Sequence, residues 1–187
     1  MRGAAVPGDL QGQTVLVVGM GHIGATVARF CQSTGMHVIG MRRTPWQPGD
    51  PAHEIHPLSM LQDVLTRCEW VVLACPHMPE THHLLNAQTL ALLPRGARVI
   101  NVARGGCVDE VALTEALESG HVGGAYLDVF EVEPLPVASP LWDLPNVIVS
   151  PHNASASSGN DRRAKDRFLA NLAHWARKEP LANQRSA

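Results

Sequence analysis

The sequence has no strong excess of charge of either sign, and this absence limits its partners. Lys and Arg total 15 while Asp and Glu total 17, so the formal net charge is -2 at pH 7. Nucleic acids and anionic membranes attract proteins through clustered positive charge, which this composition does not supply. We therefore expect neither partner. Apolar residues make up 45% of the chain, which is enough to build a buried core.

A membrane-spanning run, a secretory signal and a paired cysteine motif are also missing. No apolar stretch approaches the length of about 20 residues that a transmembrane helix needs. The segment 1–13 contains no apolar signal region. The cysteines are Cys31, Cys68, Cys75 and Cys107, and none belongs to a C-x-x-C pair. These features predict buried free thiols in a reducing compartment, so we expect a cytoplasmic protein.

Three neighbouring histidines are the pattern that most suggests a metal. They are His77, His82 and His83. No Cys, Asp or Glu completes a recognisable metal-ligand spacing with them. We therefore predict no metal site.

Short apolar runs alternate with helical patterns along the chain. The runs predict six strands, at 14–18, 37–41, 70–74, 97–102, 124–129 and 147–150. Helical patterns occur at 23–34, 59–68, 86–93, 109–119 and 162–178, whereas 43–56 and 131–145 have the proline and polar content of loops. This alternation predicts an α/β fold of the Rossmann type, with a doubly wound parallel sheet as the middle of three αβα layers.

A glycine-rich turn joins the first predicted strand to the first predicted helix. Residues 19–24, which we name the glycine turn, read G-M-G-H-I-G. The G-x-G-x-x-G pattern is weak alone, but between a strand and a helix it indicates a dinucleotide site. The glycines allow a tight turn and a close approach of the backbone to a pyrophosphate at the helix start. We assign cofactor contacts to Gly19, Gly21, His22, Ile23 and Gly24.

The end of the second predicted strand bears on which dinucleotide binds. An NAD-specific domain would place Asp or Glu near Arg42 to bind the ribose 2′-OH, and this sequence has no acid there. An arginine can pair with the 2′-phosphate of NADP. The sequence therefore predicts NADP(H) in preference to NAD(H), with Arg42, Arg43 and Thr44 in the cofactor site. The alternative is that both arginines are solvated surface charges.

Four segments carry a family resemblance. They are VVGMGHIGATVARFCQSTGMHVIG, ACPHMPETHHLLN, VINVARGGCVDEVALTEALESGHVGGAYLDVFEVEPLP and SPLWDLPNVIVSPHNA. In this order they resemble the D-isomer-specific 2-hydroxyacid dehydrogenases, which include glyoxylate/hydroxypyruvate reductases and phosphoglycerate dehydrogenases. The resemblance extends from about Leu10 to Asn183. It implies an NAD(P)-dependent oxidoreductase that acts on a small 2-oxo acid or D-2-hydroxy acid, such as glyoxylate or hydroxypyruvate.

The resemblance implies three catalytic residues. They are Arg104 in N-V-A-R-G-G-C-V-D, Glu133 in D-V-F-E-V-E-P and His152 in S-P-H-N. Imidazole can donate a proton to the substrate oxygen near neutral pH. A neighbouring carboxylate favours the charged imidazole and holds its orientation, and a guanidinium suits the substrate carboxylate. Taken singly, each residue could instead have a structural or solvated role.

The same resemblance implies further cofactor contacts. It places Asp128 on the nicotinamide carboxamide. The residues implied along the rest of the cofactor are Pro76, Thr81, Val102 and Ala103. Cys75, Arg104, His152 and Asn153 complete the predicted cofactor-binding set. Asn153 departs from the apolar residue that is usual in the family, which affects the positioning of the cofactor and not the role of His152.

The resemblance also sets an expectation for domain organisation. Residues 1–158 are expected to form the dinucleotide-binding domain, and 159–187 a helix and tail that in the family return to the substrate-binding half. That half, of roughly 100 residues in the family, is expected to be largely absent, because only nine residues precede Leu10. Family members commonly dimerise through the nucleotide-binding domain, which implies a homodimer.

Two kinds of function fit this sequence. The first is a dehydrogenase domain that transfers a hydride. The second is a truncated or non-catalytic dinucleotide-binding module of the same family, which could retain all three catalytic residues. A methyltransferase or short-chain reductase is disfavoured, since the chain has no Tyr-x-x-x-Lys pair and its one tyrosine, Tyr126, lies within a predicted strand.

Overall fold

The computed structural model describes residues 8–182, which contain a seven-stranded parallel sheet. Its strands are β1 (Thr14–Val18), β2 (His37–Met41), β3 (Glu54–His56), β4 (Trp70–Leu73), β5 (Ala97–Asn101), β6 (Val122–Leu127) and β7 (Val147–Val149). Their order across the sheet is β3-β2-β1-β4-β5-β6-β7. The chain adds strands outward in one direction from β1 and then in the other from β4, so the sheet is doubly wound.

Five α-helices accompany the strands within the described residues. They are α1 (His22–Ser33), α2 (Leu61–Leu65), α3 (Ala87–Ala91), α4 (Glu110–Glu118) and α5 (Asn160–Ala176). Just beyond α1 and α4, Gly35 and Gly120 have φ of +80° and +67°, the left-handed conformation that favours glycine at a helix end. Asp109 caps α4, because its carboxylate accepts the Ala112 N–H at 3.0 Å. The Rossmann-type α/β fold predicted from the sequence is confirmed.

A seventh strand lies in a segment that the sequence predicted to be loop. All six predicted strands are present, but β3 was not foreseen. It has three residues, each partly exposed, and pairs in parallel with the end of β2. Backbone pairing with β2 holds β3 in the sheet. The short, polar sequence of β3 does not by itself predict a strand. The predicted loop at 43–56 was therefore wrong at its last three residues.

Two apolar layers pack on opposite faces of the sheet. The larger lies between the sheet and α2, α3 and α4, with Leu65, Leu90 and Leu113 among its fully buried side chains. The smaller lies under α1, where Ala28 and Cys31 pack with valines of β1, β2 and β4. All four cysteines are free and buried, as predicted.

The chain divides into two compact units, one ending at His152 and the other beginning at Asn153. The first contains the whole sheet and helices α1 to α4. The second contains α5, which carries four exposed apolar side chains, Phe168, Leu169, Leu172 and Trp175. Within residues 8–182, no helix has the length and apolar character needed to cross a bilayer.

Candidate active site

Five strands deliver the predicted site residues to one edge of the sheet. β1 ends just before Gly19, β4 before Cys75, β5 before Arg104, β6 before Asp128 and β7 before His152. Because every pairing between these strands is parallel, their carboxyl ends lie at the same edge. Ligands of open α/β sheets bind at this edge, so the candidate site is assembled there.

The glycine turn is closed toward the protein and open toward solvent. Gly19 has φ of +92°, and a Cβ there would lie 2.7 Å from the Cys75 backbone nitrogen. A Cβ on Gly24 would lie 1.9 Å from the Gly19 carbonyl oxygen. A Cβ on Gly21 would meet no heavy atom within 4 Å. The turn therefore packs tightly at both ends and leaves space at its middle glycine.

Helix α1 starts at this open space without a side-chain cap. Gly21 is its N-cap residue and makes no side-chain hydrogen bond, and the first turn carries no acidic residue. His22 and Ile23 are exposed there. The first N–H groups of a helix need an acceptor and favour an anion. The turn thus fits the pyrophosphate of a dinucleotide, which these N–H groups would hold.

The two arginines after β2 differ in their surroundings. The Arg42 guanidinium donates to both carboxylate oxygens of Asp50, at 2.7 Å and 2.5 Å, and to the Thr44 carbonyl oxygen at 2.9 Å. This contact with Arg42 holds the pKa of Asp50 below its usual range. Arg43 is exposed, and among residues 8–182 its side chain has no hydrogen-bond or ion-pair partner. Arg42 is therefore engaged by a carboxylate, whereas Arg43 is available to a ligand.

A buried amide shapes the turn that carries Arg104. The Asn101 side chain accepts the Ala103 N–H at 3.0 Å and donates to the Arg104 carbonyl oxygen at 3.1 Å. Arg104 itself is exposed and donates to the Ala103 carbonyl oxygen at 2.6 Å. In the sequence, Asn101 stands out only as part of the N-V-A-R-G-G-C-V-D motif. An amide at the end of a buried strand was the signal that could have identified its role.

The Arg104 turn packs directly on the segment that leads to Glu133. A Cβ on Gly105 would lie 1.9 Å from the carbonyl carbon and oxygen of Phe130, so only glycine allows this approach. The Phe130 N–H in turn donates to Glu133 Oε1 at 3.1 Å. Backbone contact therefore links the segment bearing Arg104 to the segment bearing Glu133.

Glu133 and His152 form a hydrogen-bonded pair. His152 Nδ1 lies 2.8 Å from Glu133 Oε2. The hydrogen bond from His152 lowers the pKa of the Glu133 carboxyl. The hydrogen bond from the Phe130 N–H and the positive charge of Arg104 lower it further. Glu133 is therefore ionised at neutral pH and holds the imidazole by Nδ1. The His152 side chain is 46% exposed, which leaves Nε2 accessible to a small molecule.

The backbone of His152 has an uncommon conformation. Its φ is +51°, in the left-handed region that residues with a Cβ rarely adopt. Such a conformation costs on the order of 1 to 3 kcal/mol and is concentrated at functional sites. This strain is expected where the site requires the imidazole of His152 to point in one particular direction.

A cavity of about 470 Å³ lies beside the pair. Its apolar wall includes Phe130, Leu135 and Trp142, and Glu133 and His152 contribute its ionisable groups. A mostly apolar cavity with a few convergent polar groups is typical of a small-molecule site.

The remaining members of the predicted cofactor set differ in exposure. Pro76 and Asn153 are exposed and Val102 is partly exposed, whereas Cys75, Thr81, Ala103 and Asp128 are buried. The Thr81 hydroxyl donates to the Pro76 carbonyl oxygen and accepts the Met78 N–H, both at 2.8 Å. Thr81 therefore shapes the loop that carries Pro76.

The three histidines predicted not to bind metal do lie together. His77 Nε2 is 3.3 Å from His82 Nδ1, and the rings of His82 and His83 stack at 4.0 Å. His83 Nε2 lies 2.5 Å from Glu131 Oε1. No group of three or more metal-ligating side chains with metal-site geometry is found within residues 8–182.

The open glycine turn at the carboxyl edge of this sheet makes the chain a dinucleotide-binding domain of the Rossmann type. Its family follows from comparison. Residues 2–154 match the family model described as D-isomer specific 2-hydroxyacid dehydrogenase, NAD binding domain. The chain belongs to this family, and it carries the family's NAD(P)-binding domain. The resemblance identified in the sequence is confirmed.

Curated relatives extend well beyond the matched region. A glyoxylate reductase from Korarchaeum cryptofilum is 38% identical over 174 residues, which are 91% of this chain and 51% of the relative. A D-3-phosphoglycerate dehydrogenase from Bacillus subtilis is 44% identical over 154 residues, which are 81% of this chain and 28% of the relative. The chain thus spans about half or less of the length of these two relatives.

Solved structures of the family superpose closely. A D-isomer specific 2-hydroxyacid dehydrogenase from Xanthobacter autotrophicus, in complex with NADPH and MES, is 43% identical with a TM-score of 0.88, and the match covers 98% of this chain and 75% of that one. An NADPH-dependent glyoxylate/hydroxypyruvate reductase from Sinorhizobium meliloti, in complex with NADP and sulfate, is 35% identical with a TM-score of 0.85. The match covers 97% of this chain and 57% of that one.

Proposed function

We propose that this chain is the cofactor-binding and catalytic half of an oxidoreductase that interconverts small 2-oxo acids and D-2-hydroxy acids. The hydrogen bond of 2.8 Å between His152 and Glu133 carries the proposal, because it lies at the sheet edge that also presents the open glycine turn. Glyoxylate and hydroxypyruvate are the substrates that we favour, since relatives of this chain are named for their reduction.

The cofactor would be held by backbone at one end and by strand ends at the other. The N–H groups at the glycine turn would bind its pyrophosphate. Asp128, Val102 and Pro76 stand at the carboxyl ends of neighbouring strands, where we place the nicotinamide half. When bound, NAD(P)H supplies the hydride.

Three side chains carry the remaining chemistry. In the direction of reduction, His152 donates a proton from Nε2 to the carbonyl oxygen while the carbonyl carbon is reduced, and in oxidation the neutral imidazole accepts it back. Glu133 accepts the Nδ1–H, holds the ring and stabilises its positive charge. Arg104 offers a guanidinium to the substrate carboxylate and the polarised oxygen.

The purified 187-residue chain is expected to bind NADPH but to reduce glyoxylate and hydroxypyruvate weakly or not at all. Arg104, Glu133 and His152 are all exposed, so water is not excluded from the reacting groups. We propose that the substrate-binding half of the family covers them and contacts the apolar side chains of 159–187. Fluorescence titration measures binding, and the absorbance of NADPH measures turnover. Fast turnover contradicts the expected weakness, slow turnover above the rate without protein excludes the non-catalytic module, and failure to bind either dinucleotide refutes the proposed function.

We also propose that NADP(H) is preferred over NAD(H), with Arg42, Arg43 and Thr44 at the 2′-phosphate. The family members from Xanthobacter autotrophicus and Sinorhizobium meliloti were solved with NADPH and NADP. The ion pair between Arg42 and Asp50 opposes this preference, because the guanidinium must share its positive charge with a carboxylate.

Asp50→Asn is therefore expected to increase the preference for NADPH over NADH by about twofold to fivefold, because it frees the Arg42 guanidinium for the 2′-phosphate. Dissociation constants for both dinucleotides measure this ratio. Arg42→Ala should lower the ratio and remove the effect of Asp50→Asn when the two are combined. If neither substitution changed the ratio of the dissociation constants for NADH and NADPH, the role of Arg42 would be refuted.

We propose self-association through the same domain. On the α1 face, the half of the sheet formed by β4 to β7 presents Trp70, Ile100, Tyr126 and Ile148 around a groove of about 290 Å³. Ile148 is 63% exposed. An exposed apolar patch of this kind is typical of an interaction surface. Sedimentation velocity tests the proposal, since a monomeric chain at high concentration contradicts it.

The four free thiols support a cytoplasmic location. Cell fractionation tests it, and recovery of the protein outside the reducing compartment would contradict it.

A further inference from the structure

Glu110 begins α4, but its carboxylate reaches beyond the helix. Glu110 Oε1 accepts the Glu131 N–H at 2.5 Å. Glu110 is partly buried, and Glu131 lies in the turn that leads to Glu133. None of the roles proposed above uses Glu110.

Other contacts hold the same turn, residues 130–133. The Gly105 backbone packs against the Phe130 carbonyl group, as the space for a Cβ shows. His83 Nε2 lies 2.5 Å from Glu131 Oε1. Glu133 Oε1 accepts the Phe130 N–H within the turn. The turn is therefore held by the segment after Arg104, by His83 and by Glu110, whose carboxylate bonds to the backbone of the turn from outside it.

The surroundings of Glu110 do not favour a negative charge. Burial raises the pKa of its carboxyl, and the charges of Glu131 and Glu133 act in the same direction, while the hydrogen bond from the Glu131 N–H opposes them. An acid at a helix start is ordinarily explained by the helix dipole. The dipole does not explain why the Glu110 side chain bonds to a turn outside the helix. The hydrogen bond that Glu110 Oε1 accepts from the Glu131 N–H therefore needs a separate explanation.

We propose that Glu110 is a positioning residue, which anchors the turn 130–133 to the start of α4 and so directs Glu133 toward His152. The proposal rests on the role proposed above for Glu133. Because α4 follows the Arg104 turn in the chain, the same contact fixes the carboxylate side of the site relative to the guanidinium side. Glu110 contacts no reacting atom and acts through Glu133.

The test compares Glu110→Gln with Glu110→Ala in the 187-residue chain. Both substitutions remove the charge, but only alanine removes the acceptor of the Glu131 N–H. The pKa of Glu133 is measured by NMR titration of its carboxyl carbon, with Glu133→Gln used to assign the signal. We expect the proton-binding constant of Glu133 to be about threefold higher in the alanine variant than in the glutamine variant, because a looser turn weakens the bonds that lower this pKa.

Equal pKa values in the two variants, or a higher value in the glutamine variant, would overturn the proposal. Circular dichroism establishes whether both variants fold. If the alanine variant does not, Glu110→Asp, which keeps the charge on a shorter side chain, is compared with the unaltered chain and should again raise the pKa of Glu133; an unchanged value overturns the proposal. The titration needs neither dinucleotide nor substrate, so it distinguishes failure of this proposal from failure of the proposed oxidoreductase function.

Discussion

Replacing His152 by glutamine is expected to slow hydride transfer by about a hundredfold or more and to change the affinity for NADPH far less, since the pyrophosphate contacts at the glycine turn remain. Glutamine can still donate to Glu133, but it cannot deliver a proton to the substrate oxygen, and general acid catalysis of this kind contributes about 10²- to 10⁴-fold. A single-turnover measurement of NADPH oxidation, with the protein in excess over the dinucleotide, suits the weak activity expected of the chain. A fluorescence titration measures the affinity.

The chain contains a matched control for this substitution. His37 Nε2 pairs with Glu54 Oε1 at 2.9 Å, far from the carboxyl edge because His37 begins β2. His37→Gln therefore makes the same change in a similar histidine–glutamate pair, and the transfer rate should stay within a factor of about two. Equal loss of rate in the two variants, or an undiminished rate in His152→Gln, would contradict the proton-donor role.

Glu133 contributes to the same step through its charge. The low pKa of Glu133 keeps the carboxylate ionised at neutral pH, and its bond to His152 is lost only as the pH falls through that lowered pKa. Stability or activity that depends on the pair is therefore present above the ordinary pKa of a glutamate and declines in acid. Both side chains are more than a third exposed, so the pair contributes more to orientation than to folding stability.

Strands with a continuous apolar run could be predicted from the sequence, and β3 could not. β1 and β2 were predicted residue for residue, because central parallel strands are buried on both faces and consist of apolar residues. The stability of β3 comes from backbone pairing with β2 at the edge of the sheet. Such pairing joins segments distant in the sequence and leaves no periodic signal within three residues.

The same distinction applies to the candidate site. Motifs identified Arg104, Glu133 and His152 separately, and the fold brings Glu133 and His152 to hydrogen-bond distance. The partners of other polar groups were not foreseen. The bond between Glu110 and Glu131 joins residues 21 positions apart. Arg42 was predicted to bind the 2′-phosphate of NADP or else to be a solvated charge, and its pair with Asp50 was not foreseen. Contacts of this kind depend on side-chain directions, which the spacing of residues does not specify.

Gly21→Asp is expected to weaken the binding of both dinucleotides by about a hundredfold or more while leaving the fold intact. A Cβ at this position meets no protein atom within 4 Å, and the φ of -77° suits any residue. An aspartate at the N-cap would accept the free N–H groups of α1, which stabilises a helix by roughly a few tenths of a kcal/mol relative to glycine. The same carboxylate would occupy the space, and repel the charge, of the pyrophosphate. Thermal unfolding and fluorescence titration measure the two effects.

Opposite changes in stability and affinity are what identify Gly21 as a ligand contact. Gly21→Asn provides a cap of nearly the same size without the charge, so it should raise stability similarly and weaken binding less, which separates repulsion from volume. Gly24→Ala should lower stability, because its Cβ would lie 1.9 Å from the Gly19 carbonyl oxygen. If Gly21→Asp bound dinucleotide as tightly as the unaltered chain, the start of α1 would not be the phosphate site. If it unfolded like Gly24→Ala, the glycine would be required for packing, and the open space at Gly21 would lose its meaning as a binding site.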